Sequence, residues 1–359
     1  MDRKLLYITI ALIAGGMVMI YSSSSVLAES RFGSHLYFLQ RQIIWLILAI
    51  LVGYGAFRMD LKKAGPYSFI LLLVSLALLV FVFLMPARNG SHRWIFLGPL
   101  TVQPSELFKL AVIYYLAFSL AREKRNIKRL REFIYPYFPL IGIGLILIIF
   151  EPSLGSALTI ALTILMIFFL AGVRMVHLAA LILPFMGLVA SVVFILGYKK
   201  PRVMDYLAAI KDPLEGSYQI KQAVLAMGAG GIFGSGLGNG NQKLFFLPYP
   251  HTDFIFASIG EELGFVGLLA VMVLYFGLIW RGIRIARYQP DRFGYLLAMG
   301  MTASIFVSVA INIGVVTSLL PTTGIPLPFL SYGGSALMVS VISVAILLNL
   351  SRRKGVVSR

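Results

Sequence analysis

A single carboxylate, Asp253, stands where Pro248 and Pro250 end a polar stretch and an apolar run begins at Phe254. An acid at the edge of a long apolar segment is costly unless it is paired, neutralised or used. Used, it would be a general base with a raised pKa. The plainer account is that Asp253, or Thr252 beside it, caps the following helix. Capping leaves unexplained His251, next to Thr252, and the acid pair Glu261-Glu262 two turns on. At about 100° per residue, Glu261 falls about 80° from Asp253 and Glu262 about 180° away. Only Glu261 can share the side of Asp253.

A second candidate is Gln103-Pro104-Ser105-Glu106 with Lys109. Pro104 suits the first position of a helix, with Ser105 and Glu106 in its first turn. Glu106 and Lys109 are three residues apart, so their side chains can meet. Such a pair serves either to hold a wall together or to touch substrate.

Several cations fall in two polar connections: Arg88, Arg93, Lys199, Lys200, Arg202, Lys211, Lys221 and Lys243. Arg93 beside Trp94, and Lys243 beside Phe245-Phe246, suit a lipid-linked phosphate; anionic headgroups would suit any one of them equally. Residues Gly228 to Gly240 include seven glycines. Their spacing is too irregular for a dinucleotide fingerprint, which leaves a backbone that approaches phosphate or a hinge. Ser331-Tyr332-Gly333-Gly334-Ser335 opens a helix, where the serines offer an anion or hydroxyl site and the glycines close packing. Glu151, before Pro152, is expected to be a surface acid.

These groups must be positioned by membrane helices. The 359 residues are 59% hydrophobic and 13% charged, where a soluble domain is typically about a quarter charged. Apolar runs near 5–27, 38–57, 67–85, 105–121, 133–150, 154–171, 175–197, 254–280, 294–318 and 333–350 predict ten transmembrane helices. The first follows a basic start and is read as retained rather than cleaved. The expected fold is an all-α integral membrane protein, one polytopic domain over 1–359. Its long loop, 198–253, lies between helices 7 and 8 and holds short helices near 201–210 and 217–227.

Orientation follows from charge. With the N-terminus inside, 20 of the 31 Lys and Arg residues fall in cytoplasmic segments, which predicts that both termini are cytoplasmic. The polar segments 86–104, 198–253 and 319–332 then all lie outside, so the chemistry is expected there. The net charge of +17 is accounted for by this bias, and no motif supports nucleic acid. With no cysteines and four scattered histidines (35, 92, 177 and 251), thiol chemistry is excluded and a tight metal cage is not expected.

Several segments together resemble one family. They are Gln-Pro-Ser-Glu at 103–106 with Lys109, Ser217-Tyr218-Gln219, Gly-Leu-Gly-Asn-Gly at 236–240 and Gln-Lys-Leu-Phe-Phe-Leu-Pro at 242–248. They continue with His-Thr-Asp-Phe-Ile-Phe at 251–256, Gly-Glu-Glu-Leu-Gly at 260–264 and Pro-Phe-Leu-Ser-Tyr-Gly-Gly-Ser at 328–335. The chain resembles, over essentially its whole length, the SEDS family of RodA, FtsW and SpoVE. Departures are Ser217, where the family more often has glycine, and Glu151-Pro152-Ser153, where Gln-Pro-Asp is common.

The resemblance implies a glycosyltransferase of the bacterial cytoplasmic membrane. It would polymerise lipid II into glycan strands on the outer face, with a class B penicillin-binding protein as transpeptidase partner. The family's essential aspartate matches Asp253, and its paired Glu and Lys match Glu106 and Lys109. In that scheme Asp253 is the base, and Lys243 and Arg93 hold the departing pyrophosphate. Gln103, Ser105, His251, Thr252, Ser331 and Ser335 line the substrate site. A divalent cation, magnesium or manganese, would assist or replace the cations, although the sequence offers no dedicated ligand set. The rival from another class is a lipid II flippase, against which stand the lack of an evident inverted repeat and the gathering of polar features on one face. Gly260-Glu261-Glu262 leans toward the division (FtsW) branch, and Thr323 to Pro328 toward the elongation (RodA) branch.

Overall fold

In a computed structural model the chain forms a helical bundle, described at residues 1–86, 91–98, 100–122, 130–195, 197, 200–212, 215–240, 247–248 and 250–352. Helix α1 (Arg3–Phe32) starts at Asp2, whose carboxylate accepts from the Leu5 N–H at 3.0 Å. It stops at Gly33, where φ of 67° lets the N–H reach the Glu29 carbonyl; glycine takes this left-handed position without a Cβ clash. There follow α2 (Tyr37–Arg58), α3 (Leu61–Ala64), α4 (Ser68–Phe81), α5 (Pro104–Arg122), α6 (Leu130–Phe150) and α7 (Leu154–Leu170). The rest are α8 (Met175–Phe194), α9 (Lys200–Lys211), α10 (Tyr218–Gly230), α11 (Ile255–Arg287), α12 (Arg292–Val316) and α13 (Gly334–Leu350).

All ten apolar runs are helical. Among the described residues seven stretches are long and apolar enough to cross a membrane: α1, α2, Leu61–Leu84, α5, α8, α11 and α12. Tyr137–Phe150, α7 and α13 are shorter apolar helices. This is a multi-pass membrane protein. Helices α9 and α10 are the two short helices expected in the long loop.

The all-α expectation misses one feature. Strands β1 (Ile95–Leu97) and β2 (Leu100–Val102) pair antiparallel, Ile95 opposite Val102. The chain can turn there because Gly98 adopts φ of 62°.

Helix α12 is central and mostly buried, packed on α5, α7, α11 and α13. Its contact faces are small or apolar, as close membrane packing requires. Helices α2 and α13 lie together, and a Cβ on Gly334 would overlap the Trp45 ring. By contrast α8 buries only His177, Leu178 and Val193 and is peripheral.

Helix α11 is broken at Gly264, where φ is 66° and ψ is −165°. The glycine-rich run docks against the break. The N–H groups of Ser235 and Gly236 donate to the carbonyls of Glu261 and Glu262 at 2.9 and 3.0 Å, and those of Phe265 and Val266 donate back to Gly231 and Ile232. Two carbonyls and two N–H groups at the break are thereby satisfied, as a low-dielectric setting favours. A Cβ on Gly230 would sit 1.9 Å from the Gly260 carbonyl oxygen, so only glycine permits this approach. The described part of the run forms a joint with α11. Glu261 and Glu262 are buried in it. Glu262 accepts from Ser22 Oγ of α1 at 2.5 and 2.7 Å and from the Gly238 N–H at 3.0 Å.

At one end of the bundle Arg281 of α11 pairs with Asp2, whose N–H donates to Ser351 Oγ at 3.0 Å. Asp253, just before α11, therefore lies at the opposite end.

Candidate active site

Asp253 does not cap α11. The helix starts from Phe254 with no side-chain cap. Its backbone is fixed instead. Asn312 Nδ2, near the end of α12, donates to the Asp253 carbonyl at 2.8 Å and to the Ile325 carbonyl at 2.7 Å. Ser331 Oγ donates to the Thr252 carbonyl at 2.6 Å and accepts from the Leu327 N–H at 2.8 Å. The Tyr332 N–H reaches the His251 carbonyl at 2.8 Å. The 317–333 segment, too rich in proline to form its own ladder, is thus laced to 251–253 and to α12.

That lacing defines a mouth. A Cβ on Gly324, which has φ of 74°, would lie 3.5 Å from Asp253 Oδ2. The next turn of the same segment meets α7: a Cβ on Gly155 would be 2.6 Å from the Thr323 carbonyl oxygen. From α9, Arg202 donates to the Thr322 carbonyl at 3.3 Å. Arg93, before β1, donates through Nε to the Glu151 carbonyl at 3.3 Å and through Nη2 to the Pro152 carbonyl. Asp253 is half-buried. Burial pushes its carboxyl up to about 6, against the opposing charges of Arg202 and Arg93. It is ionised at neutral pH but holds a proton readily, which is what a general base requires.

Glu151 differs from its sequence reading. It is wholly buried at the α6–α7 turn, not a surface acid. The tight hairpin turns it inward, and the Arg93 clamp on two successive carbonyls holds the turn in place.

The other expected site residues fall around this mouth with various engagements. His251 is buried between Phe38 and Tyr332, with ring centroids at 4.4 and 5.7 Å. Burial lowers its pKa to about 4, so it is neutral. Ser335 Oγ accepts from the Gln103 N–H at 3.0 Å and donates to the Thr101 carbonyl at 3.2 Å, tying β2 and the start of α5 to α13. Both serine hydroxyls of the Ser331–Ser335 motif are therefore engaged with backbone. Glu106 and Lys109 form the expected pair at 2.7 Å, nearly buried on both sides. Ser105, next to Glu106, is buried, and its Oγ has no hydrogen-bond partner among the described residues. Lys243 lies outside the described residues.

Sequence reasoning did not single out Asn312 or Gln42, and it counted Arg202 only among the cations of the long loop. Gln42 is fully buried in α2 and brackets the 317–333 segment, donating to the Ser331 carbonyl at 3.4 Å and accepting from the Gly333 N–H at 3.3 Å. Two amides inside apolar helices were the available signal, since a buried amide must find partners. Among the described residues no three His, Asp or Glu side chains gather as a metal ligand set.

Fold and site together define a multi-pass membrane protein with a half-buried acid and two arginines at one mouth of a helical bundle. Residues 3–355 match the FTSW_RODA_SPOVE family, described as cell cycle proteins, and the chain belongs to that family. Stage V sporulation protein E of Bacillus subtilis (strain 168) is 40% identical over 98% of this chain and 97% of its own length. A protein of Geobacter metallireducens named "Probable peptidoglycan glycosyltransferase FtsW" is 40% identical over 98% and 95%. Among solved structures, a chain described under the coordination of polymerization and crosslinking by a peptidoglycan synthase complex superposes with a TM-score of 0.80. It is 28% identical and covers 98% of this chain and 97% of that one. The rod shape determining protein RodA of Thermus thermophilus gives 0.72 at 28% identity over 99% and 97%.

Proposed function

We propose that the protein is a peptidoglycan glycosyltransferase of cell-wall synthesis, with Asp253 as its base. The donor is a sugar on a polyprenyl pyrophosphate, and the acceptor is the 4-hydroxyl of a GlcNAc. Asp253 takes the hydroxyl proton as the oxygen attacks the anomeric carbon. The new glycosidic bond forms as the bond to pyrophosphate breaks, with inversion. Pyrophosphate leaves as an anion and needs positive charge rather than a proton. Arg93 and Arg202 supply that charge, with Lys243 as a further partner. Glu106 and Lys109 hold the wall.

The observation that carries this reading is the environment of Asp253: a half-buried carboxyl, pushed up to about 6, inside the fields of two arginines. A second observation supports the lipid-linked donor. An apolar cavity of about 800 Å³ between α6, α7 and α8 is lined by Phe138, Leu162, Phe185 and Val203, among others. Val203 of α9 adjoins Arg202, so an apolar groove and a cation at the mouth are neighbours in sequence.

In this reading ten helices cross the bacterial cytoplasmic membrane, both termini are cytoplasmic and the Asp253 mouth is extracytoplasmic. Lipid II and the growing strand are the substrates, and a class B penicillin-binding protein is the partner. The charge distribution and the synthase-complex relative support this. Purified protein with that partner, in vesicles containing labelled lipid II, tests it. Wild type is expected to make glycan polymer and Asp253→Ala none. Polymer from Asp253→Ala at the wild-type rate would remove Asp253 as base. Absence of polymer with transfer of lipid II between leaflets would replace the reading by a flippase.

A further inference from the structure

We propose that Glu151 works as a neutral acid: uncharged, it leaves the mouth with surplus positive charge for the donor's pyrophosphate, and its ionisation cancels that attraction. The proposal rests on a pyrophosphate-linked ligand, as in the reading above, but not on the chemistry that follows binding.

The geometry comes first. Glu151 has no exposed surface, and neither carboxyl oxygen has a hydrogen-bond partner among the described residues. Arg93 lies close by, yet its Nε and Nη2 go to the backbone carbonyls of Glu151 and Pro152, not to the carboxyl. A buried carboxylate left without donors is far costlier than a buried carboxylic acid, so the group keeps its proton.

The described residues of the surrounding elements add few titratable groups: His92, next to Arg93 in sequence, has its Nδ1 against the Met85 carbonyl at 2.7 Å. The last two turns of α6, residues 143–150, hold nothing titratable, and neither does α7. The 317–333 segment, which meets α7 at Gly155, holds only Tyr332. Arg202 of α9 is fixed to that segment at Thr322. Arg93 is the cation that acts on Glu151. Burial outweighs it and pushes the carboxyl up to about 8, whereas Asp253, within reach of both arginines, rises only to about 6.

The two acids therefore titrate in different ranges. Between them Asp253 is charged and Glu151 is not, and with Arg93 and Arg202 the four side chains sum to one positive charge. Once Glu151 ionises the sum is zero. A polyprenyl pyrophosphate is anionic across this range, so it would lose its electrostatic advantage as Glu151 titrates.

The test measures binding of fluorescent lipid II to the full-length protein in nanodiscs from pH 7 to 9.5, for wild type and Glu151→Gln. Wild-type affinity is expected to fall roughly tenfold, the effect of one unit charge about 10 Å away at an effective dielectric near 20. The Glu151→Gln profile is expected to be flat. Parallel decline of both proteins would overturn the proposal. A second readout needs no ligand. Infrared difference spectra at pH 7 should show the carbonyl stretch of a protonated carboxylic acid that Glu151→Gln removes. Its absence in wild type would also overturn the proposal. Failure of the glycosyltransferase reading would show separately, as missing polymer with the pH-dependent binding intact.

Discussion

Glu106 and Asp253 are both acids near the membrane boundary, and the bundle treats them in opposite ways. Glu106 meets an ammonium at 2.7 Å on its own helix, with both side chains almost hidden. Asp253 has its backbone held by Asn312 while its carboxylate faces the mouth, with two arginines felt through space but engaged elsewhere. A charge meant to stay put is neutralised locally. Asp253 is held at a raised pKa, with its main chain fixed. The contrast is what the proposed division into a structural pair and a base predicts.

The largest expected effect tests the chemical side. Asp253→Asn should lower glycan polymerisation by about 10²- to 10⁴-fold, the usual contribution of a general base. It should also raise stability at neutral pH. The folded pKa lies above the unfolded value, so the folded state carries extra protons between about 4 and 6, and ionisation above that range disfavours it. Thermal melts beside rate measurements would show the two changes running in opposite directions. Loss of stability instead would place Asp253 on the structural side.

The structural side predicts the reverse for Lys109→Ala. Leaving Glu106 buried without its partner should cost about 3–5 kcal/mol, read as a lower melting temperature. The paired change Glu106→Gln with Lys109→Met should recover most of that loss. If the single variant melts like wild type, the pair is not what holds the wall.

The pH dependence sharpens the contrast further. Polymerisation should fall below about pH 6 as Asp253 takes up its proton. Stability should fall as pH rises from about 4.5 to about 8, because folded Glu151 keeps its proton longer than the unfolded chain does. The span is on the order of a few kcal/mol, and chemical unfolding of Glu151→Gln should remove it. The smallest effect is expected from Asn312→Ala. It should cost about 1–3 kcal/mol for the two carbonyls left without their donor, with a loss of rate larger than any loss of lipid II affinity.

Much of this was legible in the residue order. The ten apolar runs and the short helices α9 and α10 follow from hydropathy and proline placement. The Glu106–Lys109 pair follows from helical spacing. The β1–β2 hairpin was not legible, because three-residue strands carry too little alternation to detect. Glu151 was misread because a polar residue beside a proline at a helix end is usually on the surface; here the turn that carries it is clamped by Arg93 from a segment distant in sequence. The glycine run was seen but not solved, since its partner is the break at Gly264, which nothing in the residues around it announces. Asn312 and Gln42 bond to backbone groups distant in sequence, and single-residue patterns contain no such information.

Asn312 has a consequence for accuracy. One amide nitrogen holds the carbonyls of Asp253 and Ile325, residues on segments separated by the whole of α11 and α12. The offset between the acid and the loop opposite is therefore not accumulated along two long helices, where small bends would add up. It is referred to one shared point, and errors in either helix move both sides of the gap together.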